Sequence, residues 1–92
     1  MRATVLVRPK PGILDPQGQA VATALQHLGF EVGETRVGRL VELDLPTGDR
    51  AQALAELERM CEQLLTNPLI ESYAIELDGQ PVEASAVDVE AQ

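Results

Sequence analysis

The chain has 92 residues and a mass of 9.9 kDa, room for one small domain around a single core. Its net charge is −8 and its aromatic residues are one Phe and one Tyr. An acidic surface repels phosphate backbones and anionic lipid, and two aromatics make no base-stacking platform, so nucleic acid and membrane surfaces are poor partners. The lone Cys61 excludes an intrachain disulfide and a multi-cysteine zinc cluster. No apolar run approaches the ~20 residues of a membrane span and Met1–Lys10 carries no cleavage signature, which predicts a soluble, cytoplasmic protein.

Ala3, Val5 and Val7 alternate with Thr4 and Leu6, predicting a first strand that Pro9 and Pro11 end. Asp15 followed by Pro16 reads as an N-cap and first helical position. Ala20, Val21, Ala24, Leu25 and Leu28 then form one apolar stripe at helical spacing. Gly29 suits the left-handed stop, with Phe30 folding back on Leu25. Val32 to Leu45 reads as extended: two strands with a tight turn or bulge at Gly38–Arg39, or one long bent strand. Asp49 caps a second helix, whose expected buried stripe is Leu54, Leu57, Cys61 and Leu64. Asn67–Pro68 ends it, and a last strand follows from about Leu69 to Leu77.

The order β-α-β-β-α-β, with crossover helices joining parallel strands, predicts an α+β ferredoxin-like two-layer sandwich, two helices on one face of an antiparallel sheet. The domain is expected to span residues 1–79, with residues 80–92 as an acidic tail. In this register Leu6, Leu40, Ile70 and Ala74 make the open sheet face apolar, a candidate dimer interface.

Catalytic chemistry is poorly represented. His27 falls in the last turn of the first helix, where a cation suits the helix dipole. Cys61 lies on an apolar stripe, the setting of an inert core thiol. Glu56, Glu58 and Glu62 read as a solvated face, and neither a P-loop nor the full dinucleotide glycine fingerprint occurs. The reading assigns no catalytic, cofactor-binding or metal-ligating residue. Two segments stand out: the loop Lys10 to Gln19, which runs into a helix N-terminus, and Arg36-Val37-Gly38-Arg39, which sets two cations beside a glycine in an acidic chain. Lys10, Arg36 and Arg39 are the candidate partner-binding residues, although a hairpin turn would also account for the arginine pair.

Three blocks resemble the PurS family, the small subunit of phosphoribosylformylglycinamidine synthase: K-P-G-I-L-D-P-Q-G at Lys10–Gly18, R-V-G-R-L-V-E-L at Arg36–Leu43 and N-P-L-I-E-S-Y at Asn67–Tyr73. The Leu28-Gly29-Phe30 junction also fits. Arg39 stands where lysine is common in the family, and the tail after Gly79 runs past the usual family end. The resemblance implies a non-catalytic subunit of a glutamine- and ATP-dependent ligase of purine (IMP) biosynthesis. Its partners would be a glutaminase subunit, PurQ, a large synthase subunit, PurL, and a second copy of itself as a dimer or dimer of dimers. It implies that the chain bridges the two and assists ammonia transfer, with ATP and magnesium used by the large subunit. The alternative is a ferredoxin-like regulatory module that binds a small molecule; a stand-alone enzyme is disfavoured by the lack of a base, nucleophile or metal set.

Overall fold

The computed structural model describes residues 1–82. Its elements run β1 (Arg2–Pro9), α1 (Pro16–His27), β2 (Arg39–Asp44), α2 (Arg50–Met60), a π-helical turn (Cys61–Leu65), β3 (Glu71–Leu77) and β4 (Gln80–Pro81). The four strands form one sheet in the order β2-β1-β3-β4, and every neighbouring pair is antiparallel. β2 and β3 therefore run parallel to each other on either side of β1, and α2 makes the crossover between them. The arrangement is of the expected ferredoxin-like α+β class, with a single strand between the two helices and only α2 packed on the core.

Strand periodicity builds the core directly. Ala3 pairs with Leu43 and Leu77, Val5 with Val41 and Ile75, and Val7 with Arg39 and Tyr73. These rows face α2, whose Ala53 and Leu57 are fully buried with Cys61. Asp49 caps α2 through the N–H groups of Ala51 (2.9 Å) and Gln52 (3.2 Å). The π turn holds an extra residue and rotates the inward face. Leu64, expected inside, is 81% exposed, while Leu65 packs on the core and Thr66 is buried. The Cys61 carbonyl accepts both the Thr66 N–H (3.0 Å) and its hydroxyl (2.8 Å), which closes the turn before Pro68.

Three expectations change. Residues 32–37 form no strand; β2 starts at Arg39 and pairs only with β1. The polar groups of this segment bond side chains instead: Val37 N–H donates to Asp15 Oδ2 (2.8 Å), and the Val32 carbonyl accepts from Gln26 Nε2 (3.4 Å). Because no strand follows α1 into the sheet, α1 is not drawn over the core. Leu25 is half-buried, Val21 and Leu28 are exposed, and no apolar residue of α1 joins the core. The Gly29 stop does form, at φ 98°, with Phe30 N–H bonded to the Leu25 carbonyl at 3.0 Å. The radius of gyration, 15.3 Å, exceeds the roughly 12 Å of a compact chain this size.

The third change is at the C-terminal boundary. Asp78 and Gly79, at φ 50° and 81°, form a two-residue turn that returns Gln80 and Pro81 along β3. Val82 is 6% exposed and belongs to the core. The domain thus continues through Val82, three residues past the expected Gly79 end; the rest of the expected tail lies outside the described residues.

A Cβ on Gly38 would run into the Val7 carbonyl oxygen, and one on Gly18 into the Thr35 carbonyl. Both neighbours are backbone, so neither yields cheaply. Gly33 has open space at its Cβ position. Gly38→Ala is expected to destabilise the domain by about 3 kcal/mol, against a small effect for Gly33→Ala; urea unfolding midpoints measure the difference.

Candidate docking surface

The segments 10–18, 36–43 and 67–73 meet at one end of the sheet. Asp15 makes the first tie. One carboxylate oxygen accepts from Gly18 N–H (3.0 Å) as the α1 cap, and the other accepts from Val37 N–H (2.8 Å). These two N–H groups, with the charge of nearby Arg36, hold the Asp15 carboxyl below the usual carboxylate range. Lys10 makes the second tie: its N–H donates to the Ile70 carbonyl at 2.8 Å, joining the end of β1 to the entry of β3.

Arg39 and Glu71 make the third. Arg39 Nη1 lies 2.7 Å from Glu71 Oε2 and Nη2 lies 2.9 Å from Oε1, a two-pronged fork. Arg39 Nη2 also donates to the Leu65 carbonyl, satisfying the end of the π turn. Glu71 Oε1 accepts the Asn67 N–H at 2.7 Å. The Arg39 fork, aided by that N–H, holds Glu71 below the ordinary carboxylate range. Between the three ties lies a hollow of about 430 Å³ whose apolar wall includes Ile13, Leu14 and Ile70. Leu14 is 71% exposed and Leu69, nearby in sequence to Ile70, is 83% exposed.

The expected partner-binding residues therefore differ in state. Lys10 is half-buried and tied through its backbone, with no ion pair among the described residues. Arg36 is exposed and likewise carries no ion pair among the described residues. Arg39 is already engaged within the chain by Glu71 and Leu65. On the open face Leu6 stands between Leu40 and Ala74 in one cross-strand row. The next row, Thr4 with Glu42 and Glu76, is polar, and Arg2 ion-pairs with Asp44 at 2.9 Å beyond it. Ile70 lies in the turn before β3 and is 41% exposed. Sequence reading did not find the Asp15–Val37 and Arg39–Glu71 bonds. Asp15 was legible as a cap, but nothing local marks a partner 22 residues away.

His27 is exposed in the last turn of α1. Burial pushes the Cys61 thiol up to about 11, helped by Glu58 and Glu62, so it is protonated at neutral pH and a poor nucleophile. Among the described residues no group of three or more His, Cys, Asp or Glu could hold a metal, and no helix is long and apolar enough to cross a membrane.

The chain is an elongated α+β module in which segments 10–18, 36–43 and 67–73 are gathered at one end of the sheet. A sequence model of the family described as PurS, phosphoribosylformylglycinamidine (FGAM) synthase, matches residues 2–79. The PurS subunit of Synechocystis sp. is 43% identical over 79% of this chain and 74% of its own length. The crystal structure of Methanocaldococcus jannaschii PurS, one of the subunits of formylglycinamide ribonucleotide amidotransferase, is 34% identical and superposes with a TM-score of 0.72 over 82% of this chain and 92% of that one. A chain in the structure of PurLQS from Thermotoga maritima gives a TM-score of 0.75 at 25% identity, over 82% and 93% of the two chains. The chain belongs to the PurS family.

Both tied carboxylates have lowered values in the fold, so their contribution to stability is present above the ordinary carboxylate value near ~4 and is lost as pH falls through the lowered folded value. Glu71→Gln is therefore expected to lower stability by a constant amount between about pH 5 and 8, and the gap to the parent should close below about pH 4; denaturant titrations along this pH series test it. Asp15→Ala should speed hydrogen exchange at the Gly18 and Val37 amides by about tenfold, while the core amides of Val5 and Ile75 hold their rates.

Proposed function

We propose that this chain is the non-catalytic small subunit of phosphoribosylformylglycinamidine synthase. In this reading it bridges the glutaminase subunit, PurQ, and the large synthase subunit, PurL, and assists passage of ammonia from one to the other. The reaction converts formylglycinamide ribonucleotide to its amidine with glutamine and ATP, in the cytoplasm. ATP and magnesium are used by the large subunit, not by this chain. The observation that carries this reading is the convergence of all three family blocks on one end of the sheet, through the Asp15, Lys10 and Arg39 ties. Membership of the PurS family and the likeness to a chain of the Thermotoga maritima PurLQS structure support it.

Self-association belongs to the same reading. The Leu40–Leu6–Ala74 row, with Ile70, gives the open face a narrow apolar strip suited to a second copy. Leu40→Glu is expected to shift the sedimenting species toward ~10 kDa, whereas Glu58→Lys on the helical side should leave it unchanged.

Reconstitution with both larger subunits tests the coupling role. Omitting this chain should abolish synthesis driven by glutamine, while synthesis driven by concentrated ammonium salt largely survives. An unchanged ratio of the two rates would defeat the proposal, and equal loss of both would point to a scaffold for the large subunit. Arg36→Glu is the appropriate charge reversal, because Arg39→Glu would also strip Glu71 of its fork; it is expected to weaken capture of the partners by about tenfold.

A further inference from the structure

None of the 12 residues of α1 is Asp, Glu, Lys or Arg, in a chain that is 24% charged. α2, with 11 residues, carries Arg50, Glu56, Glu58 and Arg59. A helix face turned to water normally carries charge, and depletion of charge marks the centre of an interface. Val21, Leu25 and Leu28 share one stripe of α1, and Phe30 extends it past the Gly29 stop. Val21 is 41% exposed, Leu28 73% and Phe30 58%. An isolated helix of this length is marginal in water, so packing has to supply what its own hydrogen bonds do not.

The sheet lacks a helix where α1 is missing. Val41 and Leu43 stand opposite Val5 and Ala3 and so face the α2 side, but β2 is the edge strand and both are only partly buried. A two-layer sandwich of this class lays two helices on that face. β2 has six residues and spans roughly 20 Å, and α1 spans roughly 18 Å. The chain cannot join the two surfaces by itself. Asp15 holds the Gly18 and Val37 N–H groups together, and the Thr35 carbonyl lies directly against Gly18, so the start of α1 is pinned at the end of the sheet. We propose that α1 packs in trans: across a two-fold axis, each copy lays Val21, Leu25 and Leu28 on Val41 and Leu43 of the other. Charge selects a second copy as the occupant. Two chains of net charge −8 repel each other, and this contact brings no carboxylate of α1 or β2 into it, since Glu42 and Asp44 lie on the opposite face. A basic partner would instead be matched by the acidic faces. The inference rests on the self-association read above but uses the other side of the sheet from the Leu40–Leu6–Ala74 row, so the two contacts together build a dimer of dimers.

The test uses the isolated full-length chain, without PurL or PurQ, so its failure leaves the bridging role standing. It is run at submillimolar concentration in the Leu40→Glu background, which disables the open-face row. Leu25→Cys combined with Leu43→Cys should cross-link two chains on mild oxidation, as should a mixture of the two single variants; Cys61 is buried and stays out of the exchange. The exchange of helices is overturned if no cross-link forms, if it closes within one chain, or if Leu25→Cys alone joins two chains, which would set α1 against the partner's α1. Hydrogen exchange gives a second reading without cysteines. The amides of Val21–His27 should slow by at least about tenfold from micromolar to submillimolar concentration. Leu25→Glu with Leu28→Glu, outside the core, should abolish that slowing while the amides of Val5 and Ile75 keep their rates. Protection of α1 that does not change with concentration, or that survives the double substitution, defeats the proposal.

Discussion

The architecture turns on where one amide proton goes. Val37 N–H is held by the carboxylate that also caps α1, at 2.8 Å from Asp15 Oδ2. A donor engaged this way cannot enter a β-ladder, so the sheet begins two residues later, at Arg39. Gly38 completes the constraint, because the chain passes so close to the Val7 carbonyl that no side chain fits there. α1 and the segment after it are consequently anchored at the end of the sheet rather than laid along it. The α1 stripe stays accessible, and the expected residue pattern acquires an elongated shape.

The two tied carboxylates divide the work of joining separate parts of the chain. Asp15 links a helix start to a connecting segment through two backbone donors, so its geometry does not depend on any flexible partner. Glu71 links β2 to the exit of α2, taking the Arg39 fork and the Asn67 N–H together. A planar guanidinium meets both oxygens of a carboxylate and still reaches the Leu65 carbonyl; an ammonium could not make that arrangement with the same geometry. Such ties keep the loop ends in place while their apolar side chains, Leu14 and Leu69, remain exposed for contact.

Arg36 and Arg39 are three positions apart and look equivalent as charges. Structurally Arg36 makes no ion pair among the described residues and acts on Asp15 only through its charge, while Arg39 is part of the frame. That difference separates substitutions that change recognition from those that change folding.

Much of this was legible in the sequence because the signals are local. Asp15-Pro16, Gly29 and Asp49 mark helix ends through the backbone groups next to them, and the alternation of β1 and β3 follows from strand geometry. The same logic gave the α+β class and the row of Leu6, Leu40 and Ala74. Asp78–Gly79 carries a hairpin signal, but the acidic and small residues after Gly79, with few large apolar ones, outweigh it and read as a tail. What tertiary structure alone decided was the fate of residues 32–37, the inward turn of Leu65 over Leu64, and the partner of Arg39. Each depends on a group distant in sequence or on a change of helical pitch. Alternation records which side chains can share a face, while the competition for a given N–H or guanidinium is settled only when the distant acceptor arrives.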